Sequence, residues 1–277
     1  MKSISLLLAF ISICSAVPLR AEPLTIVAAE NFYGGVASQV AGSSAQVVSI
    51  MSNPNQDPHE FQTDVKTAKA VADADIVIYS GLGYDTWMEK LLSAQGKTGR
   101  VVIKVSDLIG AKDGANPHIW YDPQTMPALV AKLAELLKKP EAVAAFDDSM
   151  KPLLHKITEL RHKTQGMQVT ATEPVFGNMA TALGFTMLNN DYQIAVMNDT
   201  EPSFADTVAF EKSLSSKTAK ILFYNAQVSD PSTQRMQEMA RKNGVPVVGV
   251  TETQPSNAKN YVDWMLSELQ AVGSVLP

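Results

Sequence analysis

Short runs of apolar and β-branched residues recur along the chain, each followed by a stretch with helical spacing. Leu24–Ala28, Val47–Met51, Ile76–Tyr79 and Val101–Val105 form a first set. Met167–Thr172, Ile221–Tyr224 and Val245–Val250 form a second. Continuous apolar runs of this length, alternating with helices, predict strands of a parallel sheet buried on both faces. Between them, Asp64–Ala74 places Val65, Ala68 and Ala72 on one face with Lys66 and Lys69 off it, and Ala205–Leu214 and Ser232–Asn243 are further helical stretches, the last with Gly244 as a C-cap. The middle of the chain departs from this rhythm. Thr125–Lys139 and Glu141–Gln165 are two long helical stretches separated at Pro140, with Pro152 a potential kink in the second. The expected fold is therefore α/β, with two Rossmann-like lobes containing parallel sheets. They span residues 22–140 and 166–277 and are joined by one long helix over 141–165, which would run roughly 37 Å. A single connecting helix restricts the wide hinge motion that several extended linkers would allow.

The first residues change the picture of where this fold resides. Lys2 precedes the apolar run Ile4–Val17, and small residues follow, as in a secretory signal peptide. The run is too short to span a bilayer, which takes about 20 apolar residues. Cleavage is expected after Ala21, with Ala16 the other candidate site, and the mature protein is expected in the periplasm. Lipid anchoring would require Cys14, but Ile13 before it suits lipidation poorly. Loss of residues 1–21 also removes the only cysteine, so the mature protein is expected to have no thiol to oxidise and no disulfide, and its stability must come from a core. Lys2 and Arg20 leave with the leader, and the remaining 21 basic and 28 acidic residues give a net charge of −7. That balance argues against a nucleic-acid partner and weakly favours a cationic ligand.

Candidate chemistry centres on two of the four histidines. His59 lies in Asp57-Pro58-His59-Glu60 and His118 in Asn116-Pro117-His118-Ile119. Each is expected after a strand and before a helix. In each case proline restricts the preceding residue, and ligands of open α/β sheets bind beyond the carboxyl ends of the strands. A lone loop histidine is more often a hydrogen-bonded surface group, but two in matched settings favour a metal site. Glu173, directly after Met167–Thr172, and Glu252, two residues after Val250, place carboxylates at equivalent positions of the second half, with Thr251 a rival oxygen donor. Two imidazoles and two carboxylates can complete a first shell for Mn²⁺, Zn²⁺ or Fe²⁺.

Other features point elsewhere. His155 and His162 are seven apart on the connecting helix, whereas i and i+4 are the neighbours that chelate, so they are expected on the surface. Gly81-Leu82-Gly83-Tyr84-Asp85 lacks the third glycine of a dinucleotide fingerprint, since Thr86 stands there, and is expected to form a turn. Trp87 and Met88 open a helix that reads as core. Trp120 and Tyr121 either wall the site or are simply buried beside it.

These motifs together resemble the metal-binding receptors of bacterial manganese and zinc ABC importers. The resemblance rests on Asp57-Pro58-His59-Glu60, on Ala72-Asp73-Ala74-Asp75-Ile76-Val77-Ile78 through Gly83 and Trp87, and on Asn116-Pro117-His118-Ile119-Trp120-Tyr121-Asp122-Pro123. It extends over nearly the whole mature chain. It implies two α/β lobes bridged by one helix, an ion held between them, and a membrane permease as partner. In the second half Glu173-Pro174-Val175-Phe176-Gly177 stands where zinc receptors carry a third histidine, and manganese-type receptors also have glutamate there. The family's fourth ligand is an aspartate after the last strand. In this chain Glu252 takes that place, or Thr251 by strict alignment, and the long His-rich loop of some zinc receptors is missing.

The function implied is that of a non-enzymatic, monomeric receptor that carries one divalent ion, Mn²⁺ or Zn²⁺ with Fe²⁺ a further candidate. A secreted metal-dependent hydrolase could use the same ligands, but the chain has no H-E-x-x-H motif and no general base beside them. A receptor for an organic ligand such as a siderophore would require more arginine than this chain has. Two carboxylates make a harder shell than three imidazoles would, which leans the choice towards manganese.

Overall fold

The computed structural model describes residues 23–276, apart from 54–60, 95 and 229. Four strands, β1 (Leu24–Glu30), β2 (Ala45–Met51), β3 (Ile76–Tyr79) and β4 (Val101–Lys104), form an N-terminal parallel sheet in the order β2-β1-β3-β4. Four more, β5 (Gln168–Ala171), β6 (Thr186–Met187), β7 (Leu222–Asn225) and β8 (Val247–Val250), form a second parallel sheet in the order β6-β5-β7-β8. Two equivalent sheets with the same crossover pattern make two lobes, as the alternation of strands and helices predicts.

Strand ends differ from the sequence reading by one or two residues, for local reasons. Val105 leaves β4 to open a one-turn helix, Val105–Leu108. Val245 falls outside β8 because Pro246 has no N–H for a ladder and instead supplies its carbonyl to Leu222. Gly244, at φ +72°, follows the helix Pro231–Lys242 and its cap Asn243, in the left-handed position expected of it.

Side chains alternate across each sheet and sort the core. On the outer face of the first sheet, Val27, Ala29 and Val77 pack with Val71, Trp87 and Met88. On the outer face of the second, Leu222 packs with Tyr192, Phe210 and Met236. The inner faces share one core: Ile26, Ala28 and Ile78 from one lobe belong to the same cluster as Val169, Phe223 and Val250 from the other. A seam of aromatic rings crosses it. Phe32 stacks on Trp120 at 4.7 Å, Tyr121 meets Trp264 and Phe176 at 5.7 and 5.5 Å, and Phe176 stacks on Phe223 at 4.6 Å. Each such pair adds about 0.5–1.5 kcal/mol beyond its area burial, so the seam joins the lobes along with the helix.

That helix, Glu141–Thr164, contains Pro152 and buries Phe146, Met150, Leu153, Ile157, Leu160 and Thr164 at alternating spacings of four and three. Glu141 opens it and Arg161, His162 and Lys163 close it, which suits its dipole. His155 and His162 are exposed, as their spacing predicts. The preceding helix, Thr125–Leu137, ends at Lys138, whose left-handed backbone (φ +55°) turns the chain towards Pro140.

Candidate metal centre

The carboxyl ends of both sheets face the lobe interface, and β8 delivers two candidate ligands there with different fates. Thr251 is fully engaged. Its hydroxyl donates to Glu268 Oε1 at 2.8 Å and accepts from Trp264 Nε1 at 2.7 Å. Its amide also donates to Glu268 Oε1 at 3.1 Å, and its carbonyl accepts from Tyr121 Oη at 2.7 Å. Thr251 is thus a joint between the last helix, Tyr261–Val275, and the aromatic seam. The Glu252 side chain, wholly buried, reaches the opposite lobe, where Oε1 accepts from Tyr84 Oη at 2.9 Å. Its Oε2 accepts from Asn225 Nδ2 at 2.8 Å. Its amide and that of Thr253 both donate to Gln227 Oε1, at 2.8 and 2.9 Å, fixing the loop after β8.

His118 comes from the N-terminal lobe by a route the sequence pattern misplaces. It does not directly follow a strand: the Val105–Leu108 helix and a loop lie between β4 and the short 3-10 turn Ile119–Tyr121 that His118 precedes. The detour carries the imidazole across the interface to lie wholly buried, with Nε2 at 3.5 Å from Glu252 Oε1. Its orientation is set from both lobes. Asn116 Nδ2 donates to the Pro174 carbonyl at 2.7 Å, which turns Asn116 Oδ1 towards His118. That oxygen lies 2.8 Å from Nδ1 and accepts the His118 amide at 3.1 Å. An acceptor at Nδ1 places the proton there and leaves Nε2 with a lone pair. Nε2 has no hydrogen-bond partner among the described residues. Asn178 Nδ2 donates to the His118 carbonyl at 2.9 Å, a second tie across the interface. Gly177 is required beside it, because a Cβ there would come within 2.6 Å of Asn116 Nδ2.

Glu173 is buried two residues beyond β5, at the N-cap position of the 3-10 turn Pro174–Phe176. It adjoins the Pro174 carbonyl that Asn116 grips. Trp120 is buried with its ring edge-on to His118 at 5.3 Å, so it walls the imidazole, while Tyr121 serves the seam and Thr251. His59 lies outside the described residues. Among the described residues His118 and Glu252 are brought together, and no cluster of three or more His, Cys, Asp or Glu side chains is formed.

Tyr84 is the site residue that the sequence pattern does not identify as one. The Gly81–Asp85 stretch is the expected turn, with Gly81, Leu82 and Gly83 all at positive φ. Gly81, at φ +83°, holds a left-handed conformation that favours glycine. The turn hands Tyr84 to Glu252. Burial, then the adjacent Glu252 carboxylate, push the Tyr84 phenol well above its ordinary range, so it is a neutral donor. The signal for it was positional: a turn at the carboxyl end of β3, on the edge that carries the other candidates.

Comparison with known proteins bears on the family and the fold. Residues 26–274 match the family described as zinc-uptake complex component A, periplasmic. The chain belongs to this family. Among its curated relatives, the manganese-binding lipoprotein MntA of Halalkalibacterium halodurans is 26% identical over 159 residues, covering 55% of this chain and 52% of the relative. MntA of Bacillus subtilis is 23% identical over 241 residues, covering 80% and 78% of the two chains. The chain spans about half the length of several curated relatives it matches. The solved structure of the periplasmic zinc-binding protein TroA from Treponema pallidum has the same fold, with a TM-score of 0.76 at 16% identity over 93% of this chain and 100% of that one.

Proposed function

We propose that this family member is a periplasmic receptor that captures one divalent transition-metal ion between its lobes and delivers it to the membrane permease of an ABC importer. His59, His118, Glu173 and Glu252 are the proposed ligands. The observation that carries the reading is the pair His118 and Glu252: a buried imidazole whose oriented Nε2 has no hydrogen-bond partner among the described residues, 3.5 Å from a buried carboxylate of the other lobe. A buried imidazole lone pair and a buried carboxylate this close together suit a divalent cation, which can accept electron density from both. Thr251 is already held by Glu268, Trp264 and Tyr121, which favours Glu252 over it as the fourth ligand.

The relatives' names span both metals, and the carboxylate-rich shell argued for this chain leans towards Mn²⁺ as cargo with Zn²⁺ also bound. The same names are those of metal-binding proteins and offer nothing to the hydrolase alternative. Two relatives are named lipoproteins, which runs against the expectation that Cys14 is unmodified. An anchored form would be the same receptor tethered at its leader. The receptor is expected to act as a monomer, without nucleic acid.

The test is the melting temperature of chelator-stripped protein titrated with Mn²⁺ and with Zn²⁺. At a thousand times Kd, binding to the native state alone contributes about 4.1 kcal/mol. For a chain of this size that is roughly 8–16 °C. No rise with either ion would contradict the proposal.

A further inference from the structure

Behind the turn that carries Tyr84 lies a carboxyl group with no evident purpose. Glu30 ends β1, pairs with Met51 of β2 in the sheet register, and is wholly buried. A charged residue in that position is expensive unless it is paired. Its carboxyl interacts side chain to side chain with that of Asp85. Neither Glu30 oxygen accepts a hydrogen bond from another donor among the described residues, so a proton held between the two carboxyls is the bond open to it. Asp85 also holds the turn: its carboxylate accepts from the amides of Ser80 at 2.5 Å and Gly81 at 2.9 Å. Those two bonds tie the ends of the Gly81–Asp85 turn together. Tyr33, three residues beyond Glu30, adds a hydrogen bond between its hydroxyl and Ser80 Oγ at 2.9 Å.

We propose that Glu30, paired with Asp85, is a positioning residue for the metal centre, holding the turn that sets Tyr84 on Glu252. The inference rests on Glu252 being a ligand. Two buried carboxyls in contact cannot both be charged at low cost, and the surroundings decide which one is. Asp85 has two amide donors that favour its ionised form, against burial that lifts it to about 6. Glu30 is raised well above the ordinary carboxyl range by burial first and then by Asp85. Glu30 is therefore the acid, with its proton facing Asp85, and Asp85 the acceptor of three donors. Removing the Glu30 donor leaves Asp85 under-satisfied and frees the turn, so that Tyr84 no longer fixes the orientation of Glu252. Groups that orient metal ligands in this way typically contribute 10–100-fold to affinity.

The test compares Mn²⁺ and Zn²⁺ affinities of Glu30→Leu, Glu30→Gln, Tyr84→Phe, the Glu30→Leu/Tyr84→Phe double variant and Glu252→Ala, each checked by circular dichroism and melting temperature. Both replacements at position 30 are neutral, but only glutamine can donate to Asp85. Glu30→Gln should bind close to wild type, whereas Glu30→Leu and Tyr84→Phe should each weaken binding about tenfold. The double variant should be little weaker than either single one, because both act through the same contact. If Glu30→Leu does not fold, Asp85→Asn replaces it with the same expected loss and the same lack of additivity. Wild-type affinity in folded Glu30→Leu or Asp85→Asn, fully additive losses, or a Glu30→Gln as weak as the leucine variant would overturn the inference. Loss of binding in Glu252→Ala alongside any of these leaves the receptor reading standing. Unchanged binding in Glu252→Ala would remove both.

Discussion

His118→Ala is expected to weaken binding of either ion by at least about a hundredfold, beyond what outer-shell partners alone contribute. Its Nε2 is the one oriented imidazole donor in the described interface, and Asn116, Asn178 and Gly177 all serve to hold it there. Calorimetric titration would measure the loss, with circular dichroism to confirm the fold. The companion variant replaces both His155 and His162 by alanine. Those side chains are exposed on the connecting helix, so affinity and stoichiometry should stay near wild type. Equal losses in the two variants would put the site in the wrong place.

The second large effect is expected at Glu173. Replacing it with histidine would give a shell of three imidazoles and one carboxylate, which is softer and less able to exceed four-coordination. Such a shell suits Zn²⁺ better than Mn²⁺. The ratio of zinc to manganese affinity should rise at least about tenfold, chiefly through lost Mn²⁺ binding, if the hard oxygen is what retains manganese. Competition titrations on wild type and Glu173→His provide the comparison. An unchanged ratio in a folded variant would exclude Glu173 from the shell and remove the argument for manganese.

Features that depend on local composition were legible in the chain itself. Ile76–Tyr79 is buried throughout and its apolar run says so, and Pro140 divides two helices as its chemistry requires. Features that depend on distant contacts were not. The edge strand Thr186–Met187 is two residues long and carries no periodicity. The helix Asn31–Ala41 contains Gly34, a poor helix former, because a Cβ there would come within 2.0 Å of Ser49 Oγ on β2. Packing against the sheet overrides propensity there.

The candidate site divides in the same way. Glu173 and Glu252 could be singled out because residue type and a place just after a strand coincide, and His118 by its residue type and its proline, although it does not directly follow a strand. Tyr84 meets Glu252 across 168 residues of sequence, and only the docking of the lobes makes it a partner. The same holds for Asn225 and for Glu30, whose burial no local pattern announces. The choice between Thr251 and Glu252 likewise depends on Glu268 and Trp264, which reach Thr251 from the last helix.

The central claim is that one ion is held across the interface by two imidazoles and two carboxylates. X-ray absorption at the zinc edge of protein loaded with one equivalent of Zn²⁺ examines that shell directly. The expected spectrum shows about four nitrogen and oxygen ligands near 2.0–2.1 Å, with multiple scattering from two imidazoles and no sulfur. A shell of oxygen alone, or one with a single imidazole, would contradict the account.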